Sequence, residues 1–160
     1  LHSFPTRRSS DLMYQPMLKE LINAERVNII KNVRDWKEAI KIASKPLLED
    51  NSIEELYIEN MIKSVEKYGP YIVLADRFAL PHASSKEGVN KLAMSLLIVE
   101  DEVDLLGKPV NIFMVLAAVD NTTHIRALAS LSEMMYEEEN VKLIINGDKS
   151  SILELINKQN

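Results

Sequence analysis

The sequence predicts an α/β fold: a mixed β-sheet with helices on both faces, a three-layer α/β/α sandwich. Two observations carry this. LAMSLLIV (92–99) and VNIFMVLAAV (110–119) are continuous apolar runs, the signature of strands buried on both faces rather than on one. Amphipathic helical patterns stand before and after them, which supplies a covering layer for each side of the sheet.

The elements follow in order. A short amphipathic turn over 17–22 leads into RVNIIKNV, whose β-branched residues predict an early strand. Asp35 is placed to cap WKEAIKIASKPLLE, with Trp36, Ile40, Ala43 and Leu47 near helical spacing and Pro46 weakening the end. Ser52 and Glu55 read as a capping box for a second helix that stops at Gly69-Pro70. YIVLA (71–75) reads as a short buried strand, and the acidic EDEVD run between the two long strands as a solvated turn. Beyond them lie helices only: one from DNTTHIR onward, with Ile125, Leu128, Leu131 and Met135 at helical spacing, then ENVKLIIN and SILELINK, the last with Ser151 and Glu154 as a second capping box.

Residues 1–12, LHSFPTRRSSDL, differ in character from the rest, lack a signal-peptide apolar stretch and precede Met13; they read as a non-native leader, with 13–160 as one domain. His2 is set aside with them. The chain has no cysteine, which removes disulfides, thiolate metal sites and a cysteine nucleophile, and points to a cytoplasmic protein. Its apolar runs fall far short of the ~20 residues a membrane-spanning helix needs, so direct membrane insertion is not expected. The net charge of −5, with basic residues scattered among acids, argues against nucleic acid.

Two histidines remain, and each follows a strand. His82 comes seven residues after YIVLA, in LPHASSKEG; His124 follows the long run ending in AAVD. Singly, each is an ordinary surface or first-turn residue. Together they sit where strand ends of a doubly covered sheet converge, amid the hydroxyls of Ser84, Ser85 and Thr123. Amides and hydroxyls at a helix start suit a phosphate, and neutral imidazole, with an ordinary pKa of about 6.5, is a nucleophile for phosphorus. Arg77 and Arg126 are the cations placed to face such a crevice and contact phosphate or a partner. Two histidines without HExxH spacing do not make a metal site, no GxSxG elbow marks a hydrolase, and no GxGxxG or P-loop marks a nucleotide cofactor. No metal and no cofactor are expected.

GPYIVLADRFALPHASSKEGV followed by LAMSLLIVEDEVDLLGKPVNIFMVLAAVDNTTHIRALASL resembles the IIA component of the bacterial sugar phosphotransferase system (PTS), in the mannitol/fructose-type (type 2) superfamily and its ascorbate-like branch. The resemblance implies the type-2 IIA fold and a cytoplasmic phosphocarrier. In it His82 matches the phosphorylated histidine, attacking through Nε2, and His124 the histidine that supports the phosphoryl group. The implied donor is phospho-HPr, the histidine-containing phosphocarrier protein. The acceptor is a cysteine-type IIB component, and a membrane IIC component moves the sugar. Where many relatives carry Arg-Pro after PHA, this chain has Ser84-Ser85, and Val65-Glu66-Lys67 stands where mannitol- and fructose-type members often have arginine. The same phosphohistidine would also serve a regulatory domain that signals sugar flux to a transcription factor or sensor. A small metal-dependent hydrolase is a third reading. The sequence names no sugar, and it leaves the oligomeric state open, a homo-oligomer included.

Overall fold

The computed structural model describes residues 15–159; the reading of 1–12 as a leader, and of Met13 as the start, lies outside them. The elements are α1 (Leu18–Leu21), a 3-10 turn (Ala24–Arg26), β1 (Val27–Ile30), α2 (Trp36–Glu49), α3 (Glu55–Tyr68), β2 (Val73–Ala75), β3 (Arg77–Ala79), β4 (Ala93–Leu105), β5 (Lys108–Ala117), α4 (Ile125–Tyr136), α5 (Glu138–Asn146) and α6 (Lys149–Asn157).

The strands form one sheet in the order β1-β4-β5-β3-β2. β1 pairs with β4, and β3 with β5, in parallel; β4–β5 and β2–β3 are antiparallel, so the sheet is mixed as expected. Side chains alternate across it with period two. From β4 and β5, Leu97, Val99, Phe113 and Val115 face α2 and α3, while Leu96, Ile98, Ile112 and Met114 face α1 and α4–α6. Two apolar layers, one per face, are why both central strands are uninterrupted in hydrophobicity.

Asp35 caps α2 as predicted, accepting from the Glu38 amide at 2.9 Å. Pro46 removes one helical hydrogen bond, yet α2 runs on to Glu49 and closes with Asp50 N–H on the Pro46 carbonyl at 3.1 Å. The two capping boxes are not formed. Ser52 is fully buried, and its hydroxyl lies between Asp50 Oδ1 (2.5 Å) and the Arg26 guanidinium (3.2 Å); that ion-pair cluster occupies it, and Glu54 takes the cap position of α3. At α6 the cap is Asp148, accepting from the Ser151 amide at 2.8 Å.

YIVLA is not a buried strand. Only Val73–Ala75 is extended, on the sheet edge and largely exposed, and the strand entering the sheet is Arg77–Ala79. A register shift between the two lets Asp76 and Arg77 reverse the chain, with Arg77 at φ 68°. Nor is EDEVD a turn. β4 bulges between Ile98 and Val103, then resumes with Val103 and Leu105 buried and Asp104 exposed. The reversal is the two-residue loop Leu106-Gly107, both at positive φ (52° and 96°), the geometry whose twist suits a tight hairpin. The alternation V-D-L carried that signal and was outweighed by its acidity.

The sheet therefore has two distinct poles. At one lies the β4–β5 hairpin; at the other β3 and β5 end and β4 begins, with Ala93 paired to Ala117.

Candidate functional site

His82 lies three residues beyond β3 at this second pole, and its loop is fastened at every step. Leu80 N–H donates to Ile72 O (2.8 Å), and Leu116 N–H, near the end of β5, donates to Pro81 O (3.0 Å). The peptide unit that follows His82 is held from both sides by tyrosine hydroxyls. Tyr71 donates to His82 O at 2.5 Å, while Tyr57 accepts from Ala83 N–H at 3.2 Å and donates to Leu116 O at 2.7 Å. Burial pushes the Tyr57 hydroxyl up to about 12, so it remains a neutral donor and acceptor. Further on, Gly88 at φ 84° lies so close to α3 that an added Cβ would stand 2.7 Å from Tyr57 N, which only glycine permits. Gly88 O accepts from Glu54 N–H at 2.8 Å, tying the loop to the start of α3.

The His82 ring is held as firmly. Nδ1 is 2.6 Å from Leu80 O, and a carbonyl can only accept, so Nδ1 carries the proton. The lone pair is then on Nε2. The Tyr71 ring packs against it in a T-shaped arrangement, centroids 5.2 Å apart and planes at 83°.

His124 occupies the N-cap position of α4 but makes no side-chain cap bond. The turn before it is organised by Asp120, whose Oδ1 accepts from Thr122 N–H (3.0 Å) and Thr123 N–H (2.8 Å) and whose Oδ2 accepts from the Thr123 hydroxyl (2.6 Å). These bonds, led by the Thr123 hydroxyl, hold the Asp120 carboxyl down to about 2. His124 Nδ1 is buried with no hydrogen-bond partner. A buried lone pair without a donor is less costly than a buried N–H without an acceptor, which favours the tautomer with the proton on Nε2. Burial first, then the positive charge of Lys86, lowers the His124 pKa below 6.5; Asp120 opposes this, and His82 adds a smaller push downward. The two histidines are thus electrostatic neighbours, each following the C-terminal end of one of two parallel strands, β3 and β5.

The other expected site residues divide. Thr123 is in the turn but engaged by Asp120. Ser84 is exposed and, with Ser85, borders a shallow depression on α3 beside Asn60, Lys63 and Lys67; Ser85 Oγ meets Glu87. Arg126 is engaged by the N-terminal segment, its amide donating to Gln15 Oε1 (2.8 Å) and its guanidinium to Gln15 O (3.4 Å). Arg77 is not at the site. It pairs with Val110 at the start of β5, six positions and roughly 20 Å from Leu116, and there it binds Glu102 (2.5 Å) and Asn111 (3.1 Å). Mistaking edge strand β2 for the inner strand set Arg77 at the wrong pole. Sequence reasoning missed Tyr57 and Tyr71, which stand in the sequence as ordinary apolar positions of a helix and a strand. Among the described residues, no group of three or more His, Cys, Asp or Glu side chains could hold a metal ion.

A mixed α/β sandwich with two neighbouring histidines at one pole of its sheet defines the class. Residues 20–159 match the family described as phosphoenolpyruvate-dependent sugar phosphotransferase system, EIIA 2, and the chain belongs to that family. It is 33% identical over 138 residues to the mannitol-specific cryptic phosphotransferase enzyme IIA component of Escherichia coli K12, covering 85% of this chain and 94% of that protein. The solution structure bearing that name from Escherichia coli superposes with a TM-score of 0.80 at 32% identity, over 88% of this chain and 98% of the other. The ascorbate-specific PTS EIIA component of Mycoplasma pneumoniae is 29% identical over 138 residues, 84% of this chain and 87% of that protein. The complex of Escherichia coli enzyme IIA and phosphorylated enzyme IIB of the mannitol system shares the fold, with a TM-score of 0.73 at 22% identity over 86% of this chain and 99% of that one. Mannitol and ascorbate names both occur among the relatives, the former at the higher identity.

Proposed function

We propose that this PTS IIA protein is a cytoplasmic phosphocarrier that accepts a phosphoryl group on His82 Nε2 from phospho-HPr and passes it to a cysteine-type IIB component, coupling indirectly to a membrane IIC component. The observation that carries this reading is the 2.6 Å contact between His82 Nδ1 and Leu80 O, which leaves Nε2 as the nucleophile. In the forward step the Nε2 lone pair forms an N–P bond as the donor's N–P bond breaks, the electron pair leaving with the donor nitrogen. The return step is the same displacement by a IIB thiolate. The transition state is loose, so rate depends on alignment and on charge around the equatorial oxygens rather than on proton transfer. The tyrosine-clamped peptide supplies alignment. His124, with its outer Nε2–H, donates to a phosphoryl oxygen. The mannitol IIA complex with phosphorylated IIB gives the precedent for the acceptor, and no helix among the described residues is long and apolar enough to cross a membrane.

The test is phosphorylation by phosphoenolpyruvate, enzyme I and HPr. The expected result is one acid-labile phosphate per chain, absent in His82→Ala; label that persists in that variant overturns the assignment.

A further inference from the structure

The His82 ring needs more than one constraint to serve as an aligned nucleophile. The last torsion of a histidine side chain is broad rather than staggered, so packing has to set the plane of the imidazole. The hydrogen bond from Nδ1 to Leu80 O leaves the ring free to pivot about that line. An Nε2 lone pair that swings loses the in-line approach on which a loose phosphoryl transfer depends. The same bond fixes the tautomer, so whatever steadies it keeps Nε2 unprotonated.

Tyr71 touches His82 twice. Its hydroxyl donates to His82 O at 2.5 Å, and its ring stands across the imidazole in a T-shaped contact, centroids 5.2 Å apart and planes at 83°. A close ring set nearly at a right angle blocks the pivot that the Nδ1 bond allows. Tyr71 is itself half-buried against the core layer shared with α2 and α3. Its backbone is pinned to the turn that ends α3, Tyr71 N–H donating to Gly69 O and Gly69 N–H to Val65 O, each at 2.8 Å. The next residue, Ile72, is fully buried, and its carbonyl accepts from Leu80 N–H at 2.8 Å. Two consecutive residues thus hold the two sides of one bond: Ile72 the residue whose carbonyl accepts from Nδ1, and Tyr71 the ring that donates. Tyr57 differs, since its hydroxyl meets backbone groups, Ala83 N–H and Leu116 O. Burial pushes the Tyr71 hydroxyl up, so it stays a donor at neutral pH.

We propose that Tyr71 is a positioning residue for the phosphoryl transfer, its ring setting the plane and tautomer of the His82 imidazole and its hydroxyl fixing the peptide from which that ring hangs. This rests on the phosphocarrier reading above. The N–P bond forms at His82 Nε2 as the donor's N–P bond breaks, and Tyr71 neither gives nor takes a proton.

The experiment uses the full chain with Y71F, which keeps the ring and removes the hydroxyl, and Y71L, which removes both. Imidazole 15N shifts of the unphosphorylated protein, well above the ordinary histidine pKa, report the His82 tautomer. Rapid-quench transfer from 32P-labelled phospho-HPr over a range of donor concentrations separates the limiting rate from half-saturation. In Y71L the Nδ1–H form is expected to give way to a mixture of tautomers, and the limiting rate to fall about tenfold to a hundredfold with half-saturation unchanged. Y71F should keep the tautomer and lose about threefold to tenfold in limiting rate, the worth of one hydrogen bond. A wild-type tautomer in Y71L would overturn the proposal. So would a Y71F that unfolds earlier yet transfers at the wild-type limiting rate, which would make Tyr71 a brace for the fold alone, and so would a defect confined to half-saturation, the mark of a docking residue. If Y71L does not fold, the limiting rate of Y71F decides. Wild-type protein that takes no label, or label that survives in His82→Ala, overturns the phosphocarrier reading; the tautomer measurement needs no donor and is independent of that failure. Normal labelling with two indifferent variants overturns Tyr71 alone.

Discussion

The loop carrying His82 and the turn carrying His124 meet at one pole of the sheet, yet they are built on opposite principles. The first is held by the rest of the molecule: Ile72, Leu116, Tyr57 and Tyr71 bind its backbone, and α3 receives Gly88. The second is held by itself, through Asp120 and the two threonines after it. The His82 ring has its Nδ1 anchored; the His124 ring has its Nδ1 buried and unpaired. A nucleophile must be aligned to a fraction of an ångström, which calls for tertiary anchors, whereas a supporting donor needs an N–H pointing outward and tolerates a local scaffold.

The sharpest break in this comparison is functional. His82→Ala should remove phosphorylation altogether, while His124→Ala should leave labelling intact but slow it by about tenfold to a hundredfold; equal loss in both, measured by quenched transfer from phospho-HPr, would erase the distinction. Next comes Gly88→Ala, which combines positive φ with a Cβ 2.7 Å from Tyr57 N. It should cost about 2–4 kcal/mol in denaturant unfolding and loosen the His82 loop without disturbing the His124 turn.

Tyr57→Phe strips the buried Ala83 N–H of its acceptor and Leu116 O of a donor, for an expected loss of about 1–3 kcal/mol. Asp120→Ala removes bonds that are exposed and local, so about 0.5–1 kcal/mol is expected, read by the same unfolding curves. A larger penalty for Asp120→Ala than for Tyr57→Phe would reverse the assignment of global and local anchoring.

The smallest effect is on pH. The His124 pKa is lowered in the folded chain, so the unfolded chain binds that proton more readily. Its contribution is fully present above about pH 6.5 and is lost as pH falls through that value toward the folded pKa. Asp120, held down to about 2, contributes above the ordinary carboxylate range near 3.9, and that contribution disappears between about pH 4 and 2. NMR titration should therefore place the His124 midpoint below 6.5; a midpoint above it would remove burial and Lys86 as the dominant influences.

Legibility in the sequence followed the range of the forces involved. Helix α2 and its Asp35 cap, the two central strands, and the helical C-terminal third could be read because periodicity and capping are local. Ser52 and Ser151 had the spacing of caps, but Ser52 was drawn into a buried cluster with Arg26 and Asp50, and Asp148 outcompeted Ser151 by standing one turn earlier. The β2–β3 reversal hid because Asp76 and Arg77 carry neither glycine nor proline, and Arg77 takes a positive φ that its composition does not announce.

By itself, the sequence determined the fold class and the family, and it singled out His82 and His124 as the candidate site residues. These depend on residue types and spacings that persist along the chain. Only the tertiary structure decided that two tyrosines clamp the His82 peptide and that Arg77 belongs to the far pole. Each of those turns on which residues, ten or more positions apart, are brought together, and that is set by strand register and layer packing rather than by any local pattern.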